Sequence, residues 1–157
     1  MCMVREESGL EDQTWKASKP LLGLTDFWTV MLDFDGFSFR STRYWSLKTD
    51  EEFELGGGAI FRSSYKHYHT IFDRYVGRLE NLRVIGWVAI LSRSVSMLRY
   101  LAMQCIKPTG STLRVSPNPN KGKPSPRLVY RFGCQDHAVK DFLRFRRLIK
   151  RIHRSVY

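Results

Sequence analysis

The clearest alternation of apolar and polar side chains lies near the C-terminal end of the chain. Within residues 127–133, Leu128, Tyr130 and Phe132 share one face, and this period of two predicts a β-strand. Beyond it the apolar period lengthens to 3.6 residues, which predicts a long amphipathic helix with Asp136 as a suitable N-cap. The apolar stripe of this helix comprises Ala138, Phe142, Phe145, Ile149 and Ile152.

The opposite side of the same helix is almost uniformly basic. Its cations repeat at steps of three and four, about 200° around the helix from the apolar stripe. Like charges at this spacing repel one another, and only Asp141 has the opposite sign. A solvated face is the alternative, but such a face usually mixes charges, so an anionic partner is predicted: nucleic acid, phospholipid headgroups or both. We call this set the basic ridge; it comprises Lys140, Arg144, Arg147, Arg151 and Arg154, widened by Arg146 and Lys150.

Several upstream segments also show a definite pattern. Residues 25–34 alternate apolar and polar side chains, and Asp35 with the following glycine is the favoured two-residue hairpin turn. Residues 37–42 are therefore predicted to return as a second strand. Residues 49–58 are acidic and end in glycine, which indicates a loop. The apolar spacing of residues 64–79 favours a helix, although many of these residues are β-formers.

The middle of the chain adds a strand, a helix and a strand. Residues 84–91 form an apolar run typical of a buried strand. Ser94 is a suitable cap for a helix that reaches residue 106 and is ended by a Lys-Pro pair. Residues 111–116 are predicted as a short strand, and residues 117–126 as an exposed proline-rich loop.

Composition is consistent with a single folded domain. A chain of 157 residues with 43% hydrophobic residues can bury a substantial core. We predict an α+β domain over residues 21–157, in which an antiparallel sheet packs against two or three helices and the basic amphipathic helix lies at the C-terminus. Residues 1–20 are acidic and polar and are predicted to be a flexible arm.

Charge and cysteine content indicate the kind of partner and the redox compartment of the protein. The net charge of +11 is concentrated in residues 121–154, which hold eleven Lys or Arg and two Asp. Three cysteines without a CxxC pair argue against a disulfide framework or a zinc site and favour a reducing compartment. No signal peptide is recognisable, and the longest apolar run is too short to cross a membrane, so any membrane contact would be peripheral.

Two short patterns suggest other chemistry. The run VMLDFDG resembles the first motif of haloacid-dehalogenase-type phosphatases, with Asp33 as nucleophile and Asp35 as general acid/base. Ser92 and Lys123 would stand for the second and third motifs, but arginines occupy the place of the acidic magnesium-binding pair. His67 and His69 suggest a metal pair without neighbouring carboxylates or thiols, so solvated histidines are the favoured interpretation.

Four stretches spread along the chain carry a second resemblance. They are residues 27–37 (FWTVMLDFDGF), 44–55 (YWSLKTDEEFEL), 82–101 (LRVIGWVAILSRSVSMLRYL) and 127–152 (RLVYRFGCQDHAVKDFLRFRRLIKRI). In sequence and in the order of predicted elements they resemble the small matrix proteins of bornaviruses, which share a fold with rhabdovirus matrix proteins.

The resemblance implies a non-enzymatic viral structural protein of the virion that forms homo-oligomers, lines the inner face of the envelope and takes part in virus assembly and budding. It implies peripheral contact with an anionic phospholipid membrane and binding of single-stranded RNA or nucleocapsid. The expected locations are the virion, the host cytoplasm and the membrane periphery. No cofactor or metal ion is expected. The alternatives are an RNA-binding protein that assembles ribonucleoprotein without a membrane role and, less favoured, the phosphatase. The residues expected to bind RNA or anionic lipid are Lys140, Arg144, Arg146, Arg147, Lys150, Arg151, Arg154, Lys121, Lys123 and Arg127.

Overall fold

The computed structural model describes residues 23–26, 28–107 and 110–156. The predicted flexible arm, residues 1–20, lies outside the described residues. The elements are β1 (Gly23–Asp26), β2 (Thr29–Asp35), α1 (Phe39–Phe53), β3 (Gly57–Ser64), β4 (His67–Tyr75), α2 (Arg78–Ser92), α3 (Val95–Ile106), β5 (Ser111–Arg114), a 3₁₀ turn (Pro119–Lys121), β6 (Arg127–Gly133) and α4 (Ala138–Val156). This arrangement confirms the predicted α+β class.

All strand pairs in the described residues are antiparallel. Four strands form the main sheet in the order β2-β4-β3-β6, and β1 pairs with β5 in a separate two-stranded ribbon. Because successive residues of a strand point to opposite faces, each strand of the main sheet contributes to two separate cores.

The two faces of the sheet are covered by different elements. On one face Leu32, Phe34 and Phe72 pack with α1, α2 and α3. On the other face Phe61 and Ile71 pack with α4 and with the β5 strand of the ribbon. The fold is therefore three layers deep, and α4 lies on the face opposite the other three helices.

The predicted hairpin after Asp35 is wrong, because helix α1 follows instead of a returning strand. The side chain of Ser38 caps this helix by accepting a hydrogen bond of 3.1 Å from the backbone amide of Ser41. The fully buried residues of α1 are Thr42, Ser46 and Thr49, and Trp45 and Phe53 are only partly buried against the core, so the hydrophobic periodicity of this helix is weak. These hydroxyls are satisfied internally; Ser46 and Thr70 hydrogen-bond at 2.8 Å.

Three more segments differ from their predictions. The expected loop over residues 49–58 is confined to residues 54–56, between the end of α1 and the start of β3. The expected helix over residues 64–79 is mainly strand β4, in which Tyr68, Thr70 and Phe72 share a buried face. The expected strand over residues 84–91 belongs to α2; Val84, Ile85, Val88 and Ala89 face the core, whereas Ile90 and Leu91 are exposed.

The remaining elements agree with the pattern. Ser94 caps α3, accepting a hydrogen bond of 3.4 Å from the amide of Met97. The strand predicted at 111–116 is β5, and the proline-rich segment that follows contains the 3₁₀ turn. Strand β6 and the basic amphipathic helix α4 occupy their predicted places.

Candidate functional site

Helix α4 is anchored at its N-terminus by a carboxylate from another element. Asp73 of β4 is buried and accepts hydrogen bonds from the backbone amides of Asp136 (2.9 Å), His137 (3.1 Å) and Val139 (2.9 Å). A negative charge at this end also complements the helix dipole. The predicted N-cap role of the Asp136 side chain is therefore wrong, since Asp73 caps the helix.

Only the first turns of the apolar stripe are buried. Ala138 and Phe142 are buried, together with Val139, and the Phe142 ring lies 5.6 Å from that of Phe61. The later stripe positions Phe145 and Ile152 are 51% and 50% exposed. Ile149, which lies between them, is partly buried against the core that contains Phe61, so α4 stays on the sheet while one edge of its apolar stripe faces solvent.

An apolar strip remains on the outer surface of α4. It consists of Phe145, Leu148 and Ile152, each about half exposed. Helical geometry places this strip directly beside Arg144 and Arg151 of the basic ridge. The outward face of α4 thus combines cations with apolar side chains.

The basic ridge is solvent-exposed at most of its described positions. Lys140, Arg144, Arg147 and Arg151 are exposed, and Lys150 is partly buried. The structure does not describe the side chain of Arg154. The one acid of this helix, Asp141, accepts a hydrogen bond of 2.7 Å from the hydroxyl of Tyr75, so it helps to hold α4 on β4.

Arg146 has a structural role that the periodicity did not indicate. It is partly buried, donates a hydrogen bond to the carbonyl of Pro126, and lies with its guanidinium 5.1 Å from the ring centroid of Phe61. Burial lowers the pKa of Arg146 from its ordinary value. Its prediction as a surface contact therefore needs correction: it connects α4 to the loop before β6.

A groove of about 470 Å³ lies between β6 and α4. Arg131 of β6 lines it together with Lys140, Arg146 and Arg147 of α4. Arg131 was not among the predicted contacts, because its place beside α4 depends on the packing of β6. Of the helping cations, Lys121 and Arg127 are exposed, whereas Lys123 is partly buried.

A second polar cluster was missed because β4 was predicted as a helix. The antiparallel register places Asp33 opposite His69 and Asp35 opposite His67. His69 Nε2 lies 3.5 Å from Asp33 Oδ1, and His67 Nδ1 pairs with Asp35 Oδ1. The carboxylates that seemed to be missing beside the histidines therefore come from the neighbouring strand. We call these four residues the Asp–His cluster.

The inner half of the Asp–His cluster is strongly perturbed. Burial, followed by the charge of Asp35, raises the pKa of Asp33 to about 7. Burial, followed by the charge of Arg114, lowers the pKa of His69 to about 4. His69 is therefore neutral at pH 7, and Asp33 holds its proton to a much higher pH than an ordinary aspartate.

Two cations face this cluster from outside the main sheet. Arg114 of β5 and Lys123 of the proline-rich loop both act electrostatically on Asp33. The guanidinium of Arg114 is fixed by the carbonyls of Ser116 (2.6 Å) and Pro124 (2.7 Å). Lys123 therefore belongs with the Asp–His cluster as well as with the basic surface.

The cluster is not a closed metal cage. Among the described residues, no three His, Cys, Asp or Glu side chains converge as metal ligands. The antiparallel pairing of β2 with β4 also differs from the parallel sheet on which the phosphatase motifs depend. Asp33 Oδ1 is a buried atom, and His69 Nε2 at 3.5 Å is too distant to donate a strong hydrogen bond to it.

Comparison with protein-family models, curated proteins and solved structures gives no significant match. The resemblance to bornavirus matrix proteins therefore stays a prediction. Within the described part of the chain, no helix is long and apolar enough to cross a membrane.

Proposed function

We propose that this chain is a matrix-type structural protein that attaches peripherally to an anionic membrane through the outward face of α4. The observation that supports the proposal is the apolar strip beside the basic ridge. Helices that lie in a membrane interface combine these two features, with cations at the headgroups and apolar side chains at the acyl boundary. Half-exposed Phe145, Leu148 and Ile152 would contribute nothing to a helix that binds only a phosphate backbone.

The magnitudes favour reversible attachment. Each Lys or Arg close to an anionic leaflet contributes about 1 kcal/mol, so four exposed ridge cations contribute about 4 kcal/mol. Removing the exposed halves of three apolar side chains from water adds about 1 kcal/mol each. A single protomer would bind weakly, and self-association would multiply the attachment. This is the behaviour expected of a protein that coats a membrane as an oligomer.

The same ridge would bind the ribonucleoprotein. Cations one helical turn apart can follow a phosphate backbone without reading its sequence, and such binding weakens steeply with salt. The groove that adds Arg131 to Lys140 and Arg147 widens the surface available to RNA. In this proposal membrane and RNA share the ridge, whereas only the membrane uses the apolar strip.

Vesicle flotation tests the proposal. The wild type is expected to float with phosphatidylserine vesicles at low salt and not to float with phosphatidylcholine vesicles. Changing Arg144, Arg147 and Arg151 together to Glu should abolish flotation and RNA binding. The matched control changes Arg40, Arg83 and Arg99 to Glu; these exposed residues lie outside α4 and alter the net charge equally. Equal loss in both variants would mean that net charge alone is responsible, and would contradict the proposal.

A second pair of changes separates membrane from RNA. The Leu148→Ser and Ile152→Ser double variant keeps every ridge cation and removes part of the apolar strip. Flotation should weaken severalfold, while RNA affinity should stay unchanged. Salt-dependent RNA binding by a wild type that never floats would replace the matrix proposal by the RNA-binding alternative.

A further inference from the structure

Helix α3 turns most of its apolar side chains towards solvent. Nine of its twelve residues are hydrophobic, but Met97 is the only one of the nine that is buried, and Tyr100 and Leu101 are partly buried against the core. Val95 and Ile106, on the outward side, are 62% and 75% exposed. An apolar stripe of this kind normally lies against another element, so its exposure in a single chain indicates a missing partner.

Helix α2 extends the same surface. The two helices run antiparallel: Arg78 at the start of α2 donates a hydrogen bond of 3.0 Å to the carbonyl of Lys107 at the end of α3, and Leu101 packs close to Gly86. This pairing brings the outward positions of both helices onto one surface. We call this surface the apolar face; it comprises Leu79 (74% exposed), Ile90 (66%), Val95, Leu98 (46%), Ala102 and Ile106.

The size of the apolar face matches that of a protein interface. A large aliphatic side chain presents roughly 100 Å² of apolar surface when it is fully exposed. The large members of the face, with Leu91 and Met103 on its flanks, are on average more than half exposed and together present roughly 450 Å². A standard interface buries about 800 Å² on each partner, of which somewhat more than half is apolar. The face therefore supplies the apolar area that a stable dimer needs.

The distribution of charge favours a second copy of the chain as the occupant. The chain carries a net charge of +11, yet between its ends the face is interrupted by only two cations, Arg83 and Arg99. An acidic partner would therefore find few cations to contact here. The densest basic surface is on α4, which covers the opposite side of the sheet, so two copies can meet through the apolar face with their ridges far apart.

The order of residues on α3 is also self-complementary. In a dimer with a two-fold axis, the same patch is used by both copies, and two α3 helices would cross antiparallel near their centres. Val95 then faces Ile106 of the second copy at each end, and Arg99 faces Ala102 of the second copy in the middle. A small alanine leaves room for the aliphatic stem of an arginine, whose guanidinium can reach solvent at the rim.

We propose that the apolar face of α2 and α3 is the interface through which two copies of this chain form a symmetric dimer. The dimer leaves both α4 helices uncovered, so it is compatible with the proposed attachment to membranes. The inference gives self-association a location on the molecule. It stands without the membrane function, because the exposure and the spacing of residues on α2 and α3 support it by themselves.

Analytical ultracentrifugation of the full chain in buffer without lipid tests the inference. The wild type should sediment at twice the 18.4 kDa of one chain. Changing Val95 and Ile106 together to Glu should weaken the dimer by about 100-fold or more, because like charges then meet inside an apolar interface. The matched control changes Leu148 and Ile152 to Glu, the same chemical change on half-exposed positions of α4, and should stay dimeric.

A second variant protects the test against a folding defect. Changing Leu79 and Ile90 to Glu places the charges on α2 and should dissociate the dimer in the same way, and circular dichroism verifies that all variants are folded. A wild type that is monomeric at every concentration, or a dimer that both variants of the face retain, would overturn the inference. So would a monomeric wild type whose flotation is lost when Val95 and Ile106 are changed, since a membrane would then be the occupant. A dimer that never floats would contradict only the membrane proposal.

Discussion

Replacing Asp73 by alanine should destabilise the protein more than most single substitutions. The buried carboxylate accepts hydrogen bonds from three backbone amides at the start of α4. Val139 is 1% exposed, so water cannot replace its lost acceptor, which costs about 2 kcal/mol. The amides of Asp136 and His137 lie in exposed residues and lose about 0.5 kcal/mol each, and the helix dipole loses a similar contribution. The sum is about 3–4 kcal/mol, a large part of a typical domain stability of roughly 5–15 kcal/mol.

Urea unfolding followed by circular dichroism measures this effect. For a urea slope of roughly 1.5–2 kcal/mol per molar, the midpoint should fall by about 2 M. Asp73→Asn keeps one acceptor oxygen but turns an amide group towards a backbone N–H, so it should lose about half as much. Asp136→Asn alters an exposed carboxylate of the same segment and should stay within about 0.5 kcal/mol of the wild type. An Asp73→Ala variant as stable as this control would refute the capping role.

Three further substitutions test separate parts of the fold by the same method. Asp33→Asn should stabilise the protein at pH 8, because the raised pKa of about 7 means that the fold favours the neutral carboxyl. This contribution of Asp33 to stability is lost as pH rises from about 4 through 7. After allowance for partial exposure the gain is about 2 kcal/mol at pH 8 and should disappear at pH 3; a gain independent of pH would contradict it. Ser46→Ala should cost about 1–2 kcal/mol by leaving the buried Thr70 hydroxyl unpaired, whereas adding Thr70→Val should recover most of that loss, and no recovery would disprove the pairing. Gly57→Ala should cost more than about 2 kcal/mol, because Gly57 has φ +104° and a Cβ there would meet the carbonyl of Phe132; a neutral effect would mean that β3 and β6 are not packed this closely.

Elements whose buried face is apolar could be predicted from the sequence. Helix α4 alternates apolar and basic positions with a helical period, and α3 has both a capping serine and an apolar face. Helix α1 could not be found in this way, because its fully buried residues, Thr42, Ser46 and Thr49, are polar. Their hydroxyls are tolerated only because other groups accept or donate hydrogen bonds to them. Thr42 and Thr49 donate to backbone carbonyls one turn earlier, and Ser46 bonds to Thr70 of β4, so this polar face gives no hydrophobic periodicity.

The two candidate sites also differ in how far the sequence alone predicts them. The basic ridge is a property of one helix, so its residues follow from the period of that helix alone. The Asp–His cluster depends on which strands are neighbours and on their register, and Asp33 is 36 positions from His69 along the chain. If β4 is taken as a strand, His67 and His69 lie on one face of it. The sequence signal for such a cluster is an Asp-x-Asp strand and a His-x-His strand in the same chain. Arg131 was missed for the same reason, since its partners come from α4.

The loop between β5 and β6 connects the two candidate sites. From one side Arg114 donates to the carbonyl of Pro124, and from the other Arg146 donates to that of Pro126. Between β5 and these two anchors the loop carries Lys123, which acts on Asp33. Arg146 belongs to the helix that bears the basic ridge, although its own side chain points into this contact. Helix α4 itself is held on the sheet by Asp73, by the hydrogen bond from Tyr75 to Asp141, by its apolar contacts and by Arg146. The loop therefore joins α4 to the cation side of the Asp–His cluster through two of its backbone carbonyls, those of Pro124 and Pro126.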